Sequence, residues 1–129
     1  MNAQFLFVGE RPSYQAVKIG ATWQNGRLAG KQLRDALLAL NIDPDAHQYT
    51  NLYSGPEAGC VRDSGDLRAT LIGIWAAYEA DTIIVGMGAL VCAQLVQAGV
   101  PHLQMIHPAA RGAIRKKERY TAHVASVLL

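Results

Sequence analysis

The sequence has little cysteine and no long apolar run. Its two cysteines, Cys60 and Cys92, lie 32 positions apart, and no Cys-x-x-Cys spacing occurs. This pattern argues against a disulfide framework or a cysteine-based metal site, so we expect buried or free thiols and no metal. No apolar run approaches the ~20 residues that span a bilayer, which predicts that the protein does not partner a membrane.

Further absences concern targeting and modularity. The first residues lack the basic region and the cleavage site of a signal peptide, so we expect a cytoplasmic protein. There is no internal repeat, low-complexity tract or linker. Half of the residues are hydrophobic and 17% are charged, which predicts a packed core and argues against disorder. With 129 residues, the chain is expected to form a single domain over residues 1–129.

The charge is small but unevenly distributed. The net charge is +2, yet seven of the ten acidic residues lie between residues 41 and 81. Five of the twelve basic residues lie between residues 111 and 119. This polarity predicts a face suited to an anionic partner, and the alternative is a solvated face of a helix.

Short apolar runs alternate with helical periodicity along the chain. The runs predict strands at residues 4–8, 48–53, 82–85 and 102–106, and the periodicity predicts helices near residues 33–40, 67–78, 86–98 and 114–128. Residues 9–32 are read as a long loop. In the second helix we expect Trp75 to belong to the core. The pattern predicts an α/β fold, with a four-stranded parallel sheet inside a three-layer α/β/α arrangement.

Chemically interesting residues follow each predicted strand. Gly-Glu-Arg-Pro at residues 9–12 follows the first strand, Thr-Asn at 50–51 ends the second, Gly-Met-Gly at 86–88 follows the third, and His-Pro-Ala at 107–109 follows the fourth. Ligands bind at the carboxyl ends of the strands in open parallel sheets. The four motifs are therefore expected to meet at one edge.

These motifs resemble, in order and spacing, those of the uracil-DNA glycosylase superfamily, in particular its small bacterial-type branch that opens with Gly-Glu-Ala-Pro. The likeness also includes Gly20, the Ala-Gly pair at residues 29–30 and Trp23, which stands where the family has a base-stacking phenylalanine. It covers essentially the whole chain and implies the three-layer fold of that superfamily.

The resemblance implies roles for individual residues. Ser13, Trp23 and Asn51 would hold a base that has rotated out of the DNA stack, and His107 would stabilise the charge on the departing base. A wedge loop of Pro108, Ala109 and Ala110 would enter the duplex, and the phosphates would be neutralised by three basic residues: Arg111, Arg115 and Lys116. The implied partner is duplex or single-stranded DNA, and we expect a monomer.

The sequence departs from the family at the position of the attacking water. Ala16 stands where this branch carries an acidic residue. Glu10 is the nearest remaining acid and a candidate general base, and Gln15 is a candidate for orienting a water. Ser13 replaces a bulky tyrosine, which favours a 5-modified pyrimidine unless another side chain fills the space. Two cysteines cannot hold the iron–sulfur cluster of this branch, so no cofactor is expected.

Three functions remain open at this point. The first is a DNA glycosylase that hydrolyses the N-glycosidic bond of uracil or of a 5-modified base. The second is a binding module of the same fold that has lost the catalytic activity. Ala16, at the position of the usual acidic residue, supports this alternative. The third is a hydrolase of free nucleotides or nucleosides, which the small size of the chain favours.

Overall fold

Four short strands form one parallel sheet. In the computed structural model, which describes residues 3–56 and 63–129, the strands are Phe5–Gly9 (β1), Gln48–Asn51 (β2), Ile83–Met87 (β3) and Leu103–Met105 (β4). All neighbouring strands are parallel, in the spatial order β2, β1, β3, β4. The α/β class and the four-stranded parallel sheet predicted from the sequence are thereby confirmed.

Helices connect and follow these strands. The described part of the chain contains five α-helices: Tyr14–Ile19 (α1), Ala29–Ala39 (α2), Asp63–Glu79 (α3), Ala89–Gln97 (α4) and Lys117–Leu128 (α5). Short 3₁₀ helices occupy Pro44–Ala46 and Ala113–Arg115. The arrangement is compatible with three layers, as expected.

Two of the differences from the predicted boundaries concern α1 and the last helix. The prediction of a continuous loop between the first strand and α2 was wrong, because α1 forms there. This helix has only six residues and buries none of them, so it leaves no apolar periodicity in the sequence. The last helix begins at Lys117, and Ile114 lies in the preceding 3₁₀ turn.

The strands divide the core into two layers, because successive side chains point to opposite faces of a sheet. On one face the strand residues Phe5, Phe7, Val85 and Met87 pack against α2 and α5. On the other face, Leu6, Val8 and Ile84 pack against α3 and α4; the helix residues of this second layer are Ile74, Val91 and Leu95.

Trp75 does not belong to either layer, so the prediction that it is a core residue was wrong. Its side chain is 41% exposed, whereas its neighbour Ile74 is buried. Consecutive helical residues are about 100° apart around the axis, and of these two side chains only that of Ile74 points at the sheet.

Among the described residues, no helix is both long enough and apolar enough to cross a bilayer. Cys92 is a buried free thiol, and Cys60 lies outside the described residues.

Adjacent leucines on α2 test this division into core and surface. Leu37 is fully buried and Leu38 is 52% exposed. We expect Leu37→Ala to lower the free energy of unfolding by about 2–5 kcal/mol, since it leaves a cavity in the core. The matched control Leu38→Ala should change it by less than about 0.5 kcal/mol. Urea denaturation measures both, and equal losses would contradict the assignment of these two faces.

Candidate functional site

A cleft of about 840 Å³ lies at the carboxyl edge of the sheet. The chain leaves β1 toward β2 and later returns to place β3 on the other side of β1, and ligands of open parallel sheets bind at this kind of reversal. The walls come from the segments after β1 and β4, from the last residue of β2 and from the first turn of α2.

Most of the residues singled out from the sequence line this cleft. They are Ser13, Gln15, Trp23, Asn51, His107, Pro108, Ala109, Arg111 and Arg115. Three are not part of its lining: Glu10, Ala110 and Lys116. The common edge inferred from the strand ends is therefore present, although no role proposed for these residues is tested by their position alone.

The centre of the cleft is organised by a hydrogen bond between two side chains. The indole Nε1–H of Trp23 donates to Oδ1 of Asn51 over 2.9 Å. Because an indole N–H can only donate, the amide oxygen must face it, and this fixes the orientation of the Asn51 amide. The Nδ2 of Asn51 has no hydrogen-bond partner within the described residues, so it is available to donate to a ligand.

Two glycines make this arrangement possible. A Cβ on Gly9 would lie 2.6 Å from Oδ1 of Asn51 and 2.8 Å from Cζ2 of Trp23, so the two side chains meet over a backbone without a side chain. A Cβ on Gly30 would lie 2.9 Å from the carbonyl oxygen of Thr22, where the start of α2 packs against the loop that carries Trp23. Both close approaches require glycine.

The loop before Trp23 is held by its own polar groups. The backbone N–H of Thr22 donates to the side chain of Asn25, and the backbone N–H of Asn25 donates to the hydroxyl of Thr22, at 3.0 and 3.1 Å. The amide nitrogen of Asn25 also donates to the carbonyl of Gly20. Trp23 thus sits on a braced turn.

His107 is partly buried beside the tryptophan. Its ring centroid is 5.8 Å from that of Trp23, in an edge-on arrangement. The backbone N–H of Ala109 donates to its Nδ1 over 3.0 Å, so the neutral ring carries its proton on Nε2. Burial lowers the pKa of His107, and the negative charge of Glu10 opposes this effect. A neutral imidazole with a free Nε2–H donor results.

The segment that carries His107 is clamped from α5. The Tyr120 hydroxyl donates to the carbonyl of Ile106 over 2.8 Å, and the Ile106 N–H donates to Nε2 of His123 over 2.9 Å. Both peptide groups of the residue before His107 are therefore fixed. The sequence gives no sign of this clamp, because His123 lies 17 positions from Ile106.

Free carboxylates are scarce in the cleft. Glu10 lies outside its lining, and its Oε2 pairs with Nε of Arg11 at 3.3 Å. Arg11 in turn lies over the ring of Tyr53, 4.3 Å from its centroid. The acid that does line the cleft, Asp35, is 2.7 Å from Nζ of Lys31. Among the described residues that line the cleft, no carboxylate is left without a cationic partner.

The side of the cleft near α1 is small and polar. Ser13 is the N-cap of α1, and its Oγ accepts from the backbone N–H of Ala16 over 3.0 Å. Gln15 is exposed and lines the cleft, as does Ala16. Ser13, Gln15 and Ala16 therefore bring no aromatic or branched apolar side chain to this side of the cleft.

The wedge loop predicted after β4 is a tight turn. The N–H of Ala110 donates to the carbonyl of His107 over 2.9 Å. Pro108 is buried and Ala109 is exposed, so Ala109 is the residue that this turn presents to solvent.

Basic residues border the cleft from three segments. Arg111 and Arg115 were inferred from the sequence, and the structure adds Arg11 after β1 and, at the start of α2, Arg27 and Lys31. Gln32 ties the start of α2 to the segment of Arg115, since its Nε2 donates to the carbonyl of Arg115 over 3.0 Å. A signal for Arg27 and Lys31 existed, because a helix that follows the first strand begins at the carboxyl edge and places its first turn there.

Neither a metal-binding cluster nor a relationship to known proteins adds evidence about the role of the cleft. Within residues 3–56 and 63–129, no three His, Cys, Asp or Glu side chains are grouped closely enough to hold a metal ion. No protein-family model matches the chain, and no curated protein matches it significantly. The likeness to uracil-DNA glycosylases therefore stands on the motifs alone.

Gly9 offers a direct test of the Trp23–Asn51 arrangement. We expect Gly9→Ala to lower the free energy of unfolding by about 1–3 kcal/mol, because the new Cβ has no space between the two side chains. The fluorescence of Trp23, read in a Trp75→Phe background, should shift toward that of a more solvated indole.

The control is Gly55→Ala, since a Cβ at Gly55 meets no atom within 4 Å. It should leave both signals unchanged. An unaltered Trp23 spectrum in Gly9→Ala would contradict the proposed dependence on this glycine.

Three histidines predict acid sensitivity. His47, His107 and His123 each accept a backbone N–H, and burial lowers the pKa of each from its ordinary value of 6.5. The unfolded chain binds these protons more readily, so the free energy of unfolding should fall as the pH drops below 6.5. Urea denaturation at a series of pH values from about 8 to about 5 measures this slope.

Replacing His123 with Gln should flatten that slope. Leu38→Ala serves as the control, because it removes an exposed side chain that carries no titratable group. It is expected to leave the slope as it is. A slope that does not change in His123→Gln would exclude His123 as a source of the acid sensitivity.

Proposed function

We propose that the cleft binds a pyrimidine base that has rotated out of a DNA strand, and that the protein hydrolyses the N-glycosidic bond of that nucleotide. The observation that carries the proposal is the grouping of Trp23, Asn51 and a neutral His107 in one cleft with arginines on its border. An aromatic ring, an amide and a hydrogen-bond donor are what a base-holding pocket needs.

The hydrogen bonding of Asn51 favours one class of base. Its Oδ1 already accepts from Trp23, and its Nδ2 is the group left to meet a ligand. In the proposed complex Nδ2 faces position 4 of the base, where it pairs with the carbonyl of uracil and not with the amino group of cytosine, so 4-oxo pyrimidines are preferred. The small side chains Ser13 and Ala16 leave space for a substituent at position 5 of the base.

The reaction depends on the departing base. The bond between C1′ of the sugar and N1 of the base breaks, and its electron pair stays with the base. His107 Nε2–H donates a hydrogen bond to the base oxygen on which this charge develops. Water then adds to C1′ and releases a proton, which yields an abasic sugar and the free base. No carboxylate is needed to deprotonate the water, consistent with the pairing of Glu10 to Arg11 and of Asp35 to Lys31.

The second candidate is a module that binds the base without hydrolysing it. The observation in its favour is the same lack of an unpaired carboxylate, together with Ala16 at the wall of the cleft. The two candidates share the pocket and differ in whether base is released. A hydrolase of free nucleotides would share the chemistry and differ in needing no strand.

Base release from defined DNA separates these functions. Oligonucleotides containing uracil or a 5-substituted uracil, and modified viral DNA, are incubated with the protein, and abasic sites are scored by alkaline cleavage. We expect release that falls about 10²–10³-fold in His107→Ala, since one donor to the developing charge is lost. Release from uridine monophosphate without competition by DNA would identify the nucleotide hydrolase instead.

Binding measurements decide the remaining case. Arg111→Ala and Arg115→Ala should each weaken DNA binding and reduce the salt dependence of the affinity by about one counterion. The matched control Arg119→Ala removes an exposed arginine that does not line the cleft. Salt-dependent binding with no release from any substrate would establish the binding module. The absence of both DNA binding and base release would refute the proposal altogether.

A further inference from the structure

The outer face of α3 carries large apolar side chains that no residue in the described part of the chain covers. Ile72 is 65% exposed, and Trp75 and Tyr78 form an exposed aromatic pair with ring centroids 5.4 Å apart. The opposite side of the same helix is anchored to the core by Ile74. A helix that is apolar on both faces is typical of a helix that is buried on both faces.

Charges stand at the two ends of this face. Arg68, Ile72, Trp75 and Glu79 follow one another at intervals of four, three and four residues, so they form one stripe along the helix. Arg68 and Glu79 are exposed, and neither has an ion-pair partner in the described part of the chain. They lie about 16 Å apart along the axis, with the apolar pair between them.

The stripe is complementary to itself. The midpoint between Arg68 and Glu79 is also the midpoint between Ile72 and Trp75. A two-fold axis through that point, with two copies of α3 antiparallel, places Arg68 against Glu79 of the second copy and Ile72 against its Trp75. One symmetry operation thus satisfies both the apolar and the charged contacts.

The surroundings of the stripe suit such a contact. Ala69 and Ala76 are exposed beside it, and their small side chains allow two helices to approach to about 8–10 Å. An apolar groove of about 370 Å³ adjoins it, with walls that include Leu71, Ala98 and Val100. The groove offers a site for an apolar side chain of the second copy.

We propose that two copies of this chain form a symmetric dimer through the outer face of α3. The cleft stays accessible in this dimer, because no residue of α3 is among those that line it. The proposal replaces the monomer expected from the sequence, and it is independent of what the cleft binds. A contact limited to one helix face is smaller than a standard interface of ~800 Å² per partner, so we expect micromolar affinity.

Sedimentation equilibrium at low salt tests the dimer. We expect the mass to rise with concentration from 13.9 kDa to twice that value, with half-association between about 1 and 100 μM. A mass that stays at 13.9 kDa up to about 500 μM would overturn the proposal.

Charge reversal tests the geometry. A symmetric dimer contains the Arg68–Glu79 contact twice, so Arg68→Glu or Glu79→Arg alone creates two like-charge contacts. Each should weaken association about tenfold or more, and the double exchange Arg68→Glu with Glu79→Arg should restore it. Glu118→Arg on α5 is the control, because it makes an equal charge change away from the stripe. Since all of these side chains are exposed, far-ultraviolet circular dichroism should show an unchanged fold.

Association that persists unchanged in both single variants would overturn the proposed register. So would a double exchange that fails to restore the association while its fold remains intact. A Trp75→Ala variant adds a readout that does not depend on charge, and it should weaken association at high salt as well as at low salt.

Discussion

The cleft depends on the hydrogen bond between Trp23 and Asn51, which crosses the end of β1 at Gly9. Asn51 belongs to the rigid sheet and Trp23 to a loop, so this bond attaches the loop to the edge where the strands end. It also decides what the amide can offer, because one oxygen lone pair is committed to the indole. The geometry of the cleft and the proposed ligand preference therefore have the same physical origin, and both require that residue 9 has no side chain.

The order of strands and long helices could be predicted because apolar residues repeat along the sequence at the period of a strand or of a helix. The alternation of Phe5 and Leu6 between the two core layers follows from the two-residue repeat of a strand. α1 could not be predicted, since a helix that buries no side chain shows no apolar periodicity in the sequence. Trp75 was misplaced for the opposite reason: an apolar residue on α3 signals burial, but the sequence does not say whether the covering surface belongs to the same chain.

The candidate site could be predicted in position but not in its connections. Strand ends identify where Asn51 and His107 must lie, since carboxyl ends of parallel strands share an edge. The pairing of Glu10 with Arg11 depends on side-chain torsions and on the position of Tyr53. The spacing of residues in the sequence determines neither of these. The same is true of His123, whose bond to Ile106 joins residues 17 positions apart. Such side-chain contacts turn a set of chemically suitable residues into a particular site.

These connections constrain the chemistry more than the residue types do. Glu10 lies outside the lining of the cleft and pairs with Arg11, so the nearest acid is engaged by a cation of its own chain. A neutral histidine, by contrast, loses nothing by donating its Nε2–H to a developing negative charge. In the proposed function, this balance of groups favours catalysis through the departing base, with the water attacking a centre already made electron-poor. The proposed reaction tolerates Ala16 where the resembling motifs carry an acid, because the charge that His107 stabilises develops on the base and not on the water.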